Sequence, residues 1–431
     1  MARLLKILEM SLSIKLICQF AIFAVLLFWL NHTQAEFSAR LKWYGGAVAL
    51  PADDLQRSFS GTPALDTNLD MRLMFEKKWS NFSFSVDHTT LYLHGDSFEF
   101  GGIGSRGGPE QQSLENNRQL LNLTWNIAKG DQHQVLHGID RLALRYRTGK
   151  WGVTLGREAL SWGSGIVFQP MDIFNPFAPT AVDRDYKGGD DLILVERLFN
   201  DGSDLQVLAV ARRDSNNSFS GGASSIAAKY HGFIKSGEYE LMVARHFAEE
   251  IYGLSLRWPI GGAMFRGDVV TTRLDTRDLK FMAVANLDFT TVIGKYTTYF
   301  FVEYFHSDFG VQYLPETIES LPSSLVNRLE RGELFNVMRD YLALGMNIQW
   351  HPLVSQNGTL IINLEDGSGL VQSQFTYEIS QRQRLELGLV VGVGEKQSEF
   401  GGIPTFRDPL TSEFKTIGGD TRGYLRWIYY L

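Results

Sequence analysis

The sequence predicts an all-β fold, a transmembrane antiparallel β-barrel of about eighteen strands (16–18) with one loop folded inward. Three observations predict it. Apolar and polar side chains alternate over segments of about ten residues, the period that puts one set on each face of a sheet. The segments come to an even number, about eighteen. Their connections tend to be short and long in turn, as when short turns crowd one rim of a barrel and long loops the other. The composition agrees: 29 Phe, 16 Tyr and 9 Trp stand beside 12 Pro and one Cys in 431 residues. That is too aromatic for a disordered chain, and it lacks the Gly period of collagen and the Cys of a disulfide scaffold. The formal charge of −7 carries no basic footprint, so no nucleic-acid partner is expected.

In chain order, residues 1–35 read as a secretory signal peptide. Arg3, Lys6 and Lys15 precede an apolar stretch from Leu16 to Leu30, and the small residues Thr33 and Ala35 mark a cleavage site. A start at Met10 gives a more ordinary signal, and an uncleaved anchor is the competing reading. Cys18 lies in the apolar stretch, so the exported chain would have no Cys and would depend on its sheet for stability. Beyond residue 35 no apolar run approaches roughly 18 residues, which excludes helical spans.

Residues 36–431 read as one barrel domain. Its strands fall at 37–50, 67–79, 82–94, 138–148, 151–160, 190–199, 204–213, 224–235, 238–248, 250–258, 262–274, 279–291, 296–308, 339–351, 358–366, 369–380, 384–394 and 417–431. Alternation is clearest at 341–350, where Leu342, Leu344, Met346, Ile348 and Trp350 share one face and Asn347 and Gln349 the other. Leu385, Leu387, Leu389 and Val391 repeat it, as do Leu425, Trp427, Tyr429 and Leu431. The even-numbered connections are short, from Ser80 to Gln381–Gln383. Most odd-numbered ones are long: 51–66, 95–137, 161–189, 214–223, 309–338 and 395–416. Three odd ones, near Glu249, Asp275–Asp278 and Gly367, are also short, so the parity is a bias. It places both termini on the periplasmic side, and a water-soluble sandwich gives no reason for it. Aromatics near strand ends, Trp43, Tyr44, Trp79, Trp151, Trp162, Trp258, Trp350, Trp427 and Tyr429, are expected in interfacial girdles. The competing reading is the core of a large soluble β-protein.

If the apolar face meets lipid, the other face lines a lumen wide enough for water. Arg257, Arg266, Asp268 and Glu303 are candidate lumen residues, within a wall set of mixed sign that includes Lys229, Asp288, Asn363, Glu365, Glu386 and Arg426. Such charges are costly in lipid and cheap in water.

The stretch 156–191 stands apart. Alternation stops after about Leu160, and Pro170, Pro176 and Pro179 bar regular sheet. Phe168, Ile173, Phe174 and Phe177 need burial, which is met most easily by folding 161–189 into the barrel. Its charges, Arg157, Asp172, Asp183, Arg184, Asp185, Lys187, Asp190 and Asp191, would then narrow and polarise the pore. An internal plug with only a structural role fits the same residues. The run Gly156-Arg157, Trp162-Gly163 and Pro170-Met171-Asp172-Ile173-Phe174-Asn175-Pro176 resembles a block in Gram-negative outer-membrane barrels of the porin and alginate-export kind. The resemblance covers some 40 residues and implies a diffusion channel or export pore, without a substrate. Leu431 departs from it, because such barrels usually end in Phe or Trp.

Other motifs carry little. Gly102, Gly104 and Gly107 match a dinucleotide fingerprint outside any βαβ context. His246 with Glu249 and Glu250 lacks the second His of a zinc-protease helix, and no nucleophile elbow occurs. No cofactor or metal is implied. Residues 323–338 read as a short helix capped by Ser323 or Ser324, folded inward as a lid or lying over the rim. The first functional reading is an outer-membrane channel for passive diffusion of small hydrophilic solutes, saccharides or organic acids. The second is a closed barrel serving envelope biogenesis or polysaccharide export, and the third an outer-membrane hydrolase. Lipid bilayer and lipopolysaccharide are the expected surroundings. A homotrimer or a periplasmic partner is open, with no interface signature in the sequence.

Overall fold

A computed structural model describes residues 35–98, 118–179, 181, 185–407 and 413–431. Residues 1–34 of the 1–35 signal-peptide reading, the Gly102–Gly107 motif, Asp183 and Arg184 lie outside the described residues. Strands in chain order are β1 (Ala35–Ala49), β2 (Ala64–Trp79), β3 (Phe82–Gly95), β4 (Thr124–Lys129), β5 (His133–Thr148), β6 (Trp151–Glu158) and β7 (Asp190–Leu198). Then come β8 (Asp204–Val210), β9 (Ser225–Ile234), β10 (Gly237–His246), β11 (Glu249–Ile260), β12 (Ala263–Arg273), β13 (Leu279–Ile293) and β14 (Tyr296–Ser307). The last are β15 (Asp340–His351), β16 (Val354–Asn363), β17 (Gly369–Ser380), β18 (Gln383–Val393), β19 (Ile403–Arg407), β20 (Phe414–Ile417) and β21 (Thr421–Tyr430).

All but β4, β19 and β20 form an eighteen-stranded antiparallel wall, closed because β21 pairs with both β18 and β1. Each strand expected from the sequence has its counterpart, with shifted ends. β16 starts at Val354 where the sequence reading starts it at 358, and Glu365 belongs to the following loop, not to the wall. β4 was not foreseen. Six residues long, it pairs with the start of β5 (Thr124↔Gly138 to Lys129↔Gln134), beyond the level where β6 stops, and so fills the wall there. β19 and β20 form a small separate sheet in the last long loop.

Polarity is inverted relative to a soluble protein. Leu387 and Leu389 are 58% and 48% exposed on the outer face, whereas Arg72 and Glu303 are fully buried inside. Burying charge and exposing leucine is stable only where lipid surrounds the wall. An apolar core also lies inside the barrel. Trp162, Phe168, Met171 and Phe174 from the inward loop pack with Leu208, Met242, Val270, Phe305 and Tyr341 of the wall. Trp162 and Tyr44 therefore leave the expected girdle: Trp162 is buried in this core, and Tyr44 stacks on buried Tyr424 with ring centroids 5.9 Å apart.

Gly156, where the inward loop is about to leave β6, has φ 126°, and a Cβ there would lie 2.0 Å from the Leu142 carbonyl oxygen. No side chain fits that approach. The helix in the 308–339 loop runs Ser323–Arg331, shorter than the expected 323–338. Its N-cap is Pro322 with no side-chain cap, and Gly332 ends it in the left-handed conformation. Leu325 points into the interior core.

Candidate functional site: the inward loop and the lumen wall

The inward loop is held by wall carboxylates. The amides of Ile166, Val167 and Phe168 donate to Glu303 at 2.7, 3.0 and 2.8 Å. Those of Ser164 and Gly165 donate to Asp268 at 3.0 and 3.3 Å, and the Ser164 hydroxyl does so at 2.7 Å. Arg257 donates to the Gly163 carbonyl at 2.8 Å, and Trp162 Nε1 to Gln206 at 3.0 Å. Three prolines deny this segment a sheet ladder, so its N–H groups need acceptors, and the wall supplies them. Glu303, Asp268 and Arg257 were expected to line open lumen. Instead Glu303 and Asp268 are fully buried under the loop, and Arg257 contacts its backbone. Arg266 stays on the wall, partly exposed, 2.6 Å from Asp288.

The charges expected to polarise a pore are mostly consumed in pairs. Arg157 donates to both oxygens of Asp191 (2.8 and 2.9 Å), to the Ile139 carbonyl at 3.1 Å and to the Leu121 carbonyl. At 1% exposed it rivets the seam between β5, β7 and the segment before β4 and does not face a pore. Asp190 pairs with Arg212 at 2.8 Å. Asp172 and Lys187, 2.6 Å apart, are both buried. Asp185 alone among the described loop charges stays partly exposed, 3.3 Å from Lys42 and 3.7 Å from Arg40 across the lumen.

Burial lifts the Asp172 carboxyl to about 6 against the pull of Lys187, and burial also lowers Lys187 from its ordinary value. An acid raised on folding binds its proton more tightly when folded, so its contribution declines as pH rises from about 4 to about 6. Lys187→Met should cost about 3–5 kcal/mol, because it strands a buried carboxylate, while Lys187→Met with Asp172→Leu recovers most of it. Urea unfolding of the single and double variants checks this; equal losses would refute the pairing argument.

Across from residues 163–168 of the loop, the wall made by β21, β1, β2, β3, β5 and β6 is rich in guanidinium groups, and residues 185–187 of the loop reach it. Arg141, Arg145 and Arg147 climb β5 from the turn rim, and Arg72, Arg40, Lys42 and Arg426 continue over β2, β1 and β21. Arg72 pairs with Asp140, Arg40 with Asp70, Arg145 with Glu158 and Arg426 with Glu386. At the turn rim this wall bounds a cavity of about 740 Å³ lined by Ser83, Ser85, Asp87, Arg141, Arg145 and Glu158 among others. The sequence reading named Arg426 and Glu386 but passed over Arg40, Lys42, Arg72, Arg141 and Arg145. The same period of two on β1 and β2, with Arg40 and Lys42 or Asp70 and Arg72, was the available signal.

At the loop rim, Ser225, His246 and Glu333 form a hydrogen-bonded chain of 2.8 and 3.0 Å. It has the connectivity of a hydrolase triad, but Arg212 sits 2.6 Å from the Ser225 oxygen and the ring of Phe174 packs edge-on to His246. Ser225 and His246 are both buried, leaving no approach for a substrate carbonyl. Burial would raise Glu333, but His246, Arg328 and Arg331 hold it down at about 2. The chain thus clamps the 308–339 loop to the wall.

No known family profile matches the chain, and no curated protein matches its sequence. Solved structures do resemble it. OccAB1 of Acinetobacter baumannii superposes with a TM-score of 0.53 at 10% identity, over 93% of this chain and 98% of that one. A BenF-like porin from Pseudomonas fluorescens Pf-5 gives 0.52 at 12%, over 92% and 98%. OccK2 (OpdF) of Pseudomonas aeruginosa, solved in complex with glucuronate, gives 0.51 at 10%, over 92% and 98%. The fold is therefore that of outer-membrane porins; identities this low carry no more than the fold.

Proposed function

We propose that this protein is a bacterial outer-membrane channel through which small hydrophilic solutes diffuse, without a chemical step. The observation that carries the reading is the division of the lumen. Residues 163–168 of the inward loop are fastened to β10, β12 and β14, and its residues 185–187 meet the charged wall of β1, β2 and β5, which keeps a cavity of about 740 Å³ at the turn rim. The outer face meets bilayer, with lipopolysaccharide around the loop rim. Arg141 and Arg145, which line that cavity, favour solutes that carry a carboxylate, and the resembling OccK2 was solved with one, glucuronate.

Purified refolded protein in planar bilayers should conduct, with a reversal potential that favours anions under a salt gradient. Liposomes containing it should swell faster in small organic acids than in neutral sugars of equal size. Absence of conductance would move the reading to a closed barrel for envelope biogenesis, or for polysaccharide export as the alginate-export side of the sequence resemblance implies.

A further inference from the structure

We propose that the inner face of β15, β16 and β17 is a subsite for the hydroxyl groups of an uncharged sugar or polyol. The proposal rests on the channel reading above and deepens it, because it gives a second sector of the lumen a solute class of its own. Between the interior core and the Glu378–Arg384 pair at the turn rim, this face carries Asn347, Asn357, Thr359, Gln372, Gln374 and Thr376. All six are at least partly exposed, and none is charged. The wall on either side is charged: Arg266 pairs with Asp288 on β12 and β13, and Arg426 with Glu386 on β21 and β18. Each amide offers both donors and an acceptor, the combination that a hydroxyl group uses.

The amides form a row. Asn347, Asn357 and Gln374 are direct partners across β15, β16 and β17. Asn347 donates its amide to Asn357 Oδ1 at 2.6 Å, and Tyr424 donates its hydroxyl to Gln374 Oε1 at 3.2 Å. Those two bonds orient the three amides and leave Asn347 Oδ1, Asn357 Nδ2 and Gln374 Nε2 without a partner among the described residues. Neighbouring strands stand about 4.8 Å apart, so the open acceptor and donors are spaced like hydroxyls on alternate carbons of a sugar ring. Aromatic rings bound the row. Tyr299 is the partner of Asn347 on β14, and Phe301 packs over Gly345, where a Cβ would stand 2.0 Å from its Cε1. At the other end Tyr424 packs over Gly388, where a Cβ would stand 2.1 Å from its Cζ, and Tyr44 stacks on Tyr424. Glycine at 345 and 388 lets Phe301 and Tyr424 lie along the wall instead of across the lumen. A sugar presents apolar C–H faces and hydroxyl edges, and rings beside amides match both.

Two readouts on full-length refolded protein test this. The first is saturation-transfer NMR in a sugar-free detergent, with glucose as probe and triethylene glycol, an uncharged ether with hydroxyls only at its ends, as control. Wild type should give a saturable signal with glucose and none with triethylene glycol, a comparison that needs no variant. Asn357→Leu with Gln374→Leu should weaken glucose binding about tenfold, the loss expected for one or two hydrogen bonds, whereas Asn357→Gln, which keeps an amide, should stay within about threefold of wild type. In planar bilayers, glucose should interrupt the current through wild type more often than through the double leucine variant. Absence of a glucose signal in wild type, or equal glucose affinity in the double variant, overturns the subsite. Equal signals from glucose and triethylene glycol overturn the recognition of hydroxyl groups. Absence of conductance in every variant refutes the channel reading instead, and the NMR titration still decides the subsite.

Discussion

Glu303→Ala should release the inward loop and raise single-channel conductance severalfold while the barrel itself stays folded. The loop buries Trp162, Phe168, Met171, Ile173 and Phe174, at about 1.5–3 kcal/mol each. Ordering the segment costs about 1–2 kcal/mol per residue, which over 161–174 exceeds that gain. The charged hydrogen bonds therefore decide whether it docks. Glu303 accepts three backbone N–H groups and the Asn286 amide, and bonds to charged groups contribute about 1.5–3 kcal/mol each. Alanine removes all four acceptor contacts and leaves three amides buried without partners; in water those amides are satisfied, so the variant favours the undocked loop. Glu303→Gln retains part of the acceptor capacity and should fall between. Heat-modifiable migration on cold SDS gels would show that the wall survives. Conductance and protease resistance in 161–174 that match wild type would mean that apolar packing alone holds the loop.

That carboxylate illustrates what could and could not be read from the chain. Its inward orientation follows from alternation: Glu303 and Phe305 share the face opposite Val302 and Tyr304. The partners do not follow. Ile166 is 137 positions away from Glu303, Ser164 is 104 from Asp268, and Arg157 is 34 from Asp191. Period-two patterning assigns a face; it says nothing about which loop will cover that face. The sequence reading accordingly gave these charges to open water, and the structure spends them on backbone amides and on one another.

The walls were legible for the same reason that the loops were not. A strand of ten or more residues repeats its signal several times, as β15 does with five apolar side chains on one face. β4, at six residues, and β20, at four, offer too few repeats to rise above the surrounding loop. The aromatics misled in a specific way. Outward Trp43, Trp79, Trp151 and Trp350 fit a girdle, but Phe168 stacks on Phe305 at 4.5 Å inside the barrel. A lumen partly filled by an apolar loop has an apolar inner face, a possibility that composition does not separate from a lipid belt.

The outer loops should loosen from one another as pH rises toward neutrality, through Glu399. This residue of the last long loop reaches into the wall and is buried there. Tyr341 donates its hydroxyl to Glu399 at 2.5 Å, Asn363 its amide at 2.7 Å and the Val337 backbone its N–H at 2.8 Å, so one carboxyl ties two loops to β15 and β16. Burial raises it from 4.5 to about 7, with Asp366, which accepts the Glu399 amide, adding to the rise and the three donors opposing it. Among the described residues no cation pairs with it. In the undocked loop Glu399 titrates near its ordinary 4.5, so between that value and 7 the docked state binds more protons. Docking is therefore at full strength below about 4.5 and weakens as pH rises through 7, by on the order of 3 kcal/mol. Hydrogen-exchange protection factors of the Val337 and Glu399 amides, corrected for intrinsic rates, should fall about a hundredfold between pH 5 and pH 8. Glu399→Gln should flatten that dependence, and Asp366→Asn should shift it downward in pH. A wild-type protection factor that does not change with pH, or the same slope in Glu399→Gln, would rule this carboxyl out as the latch.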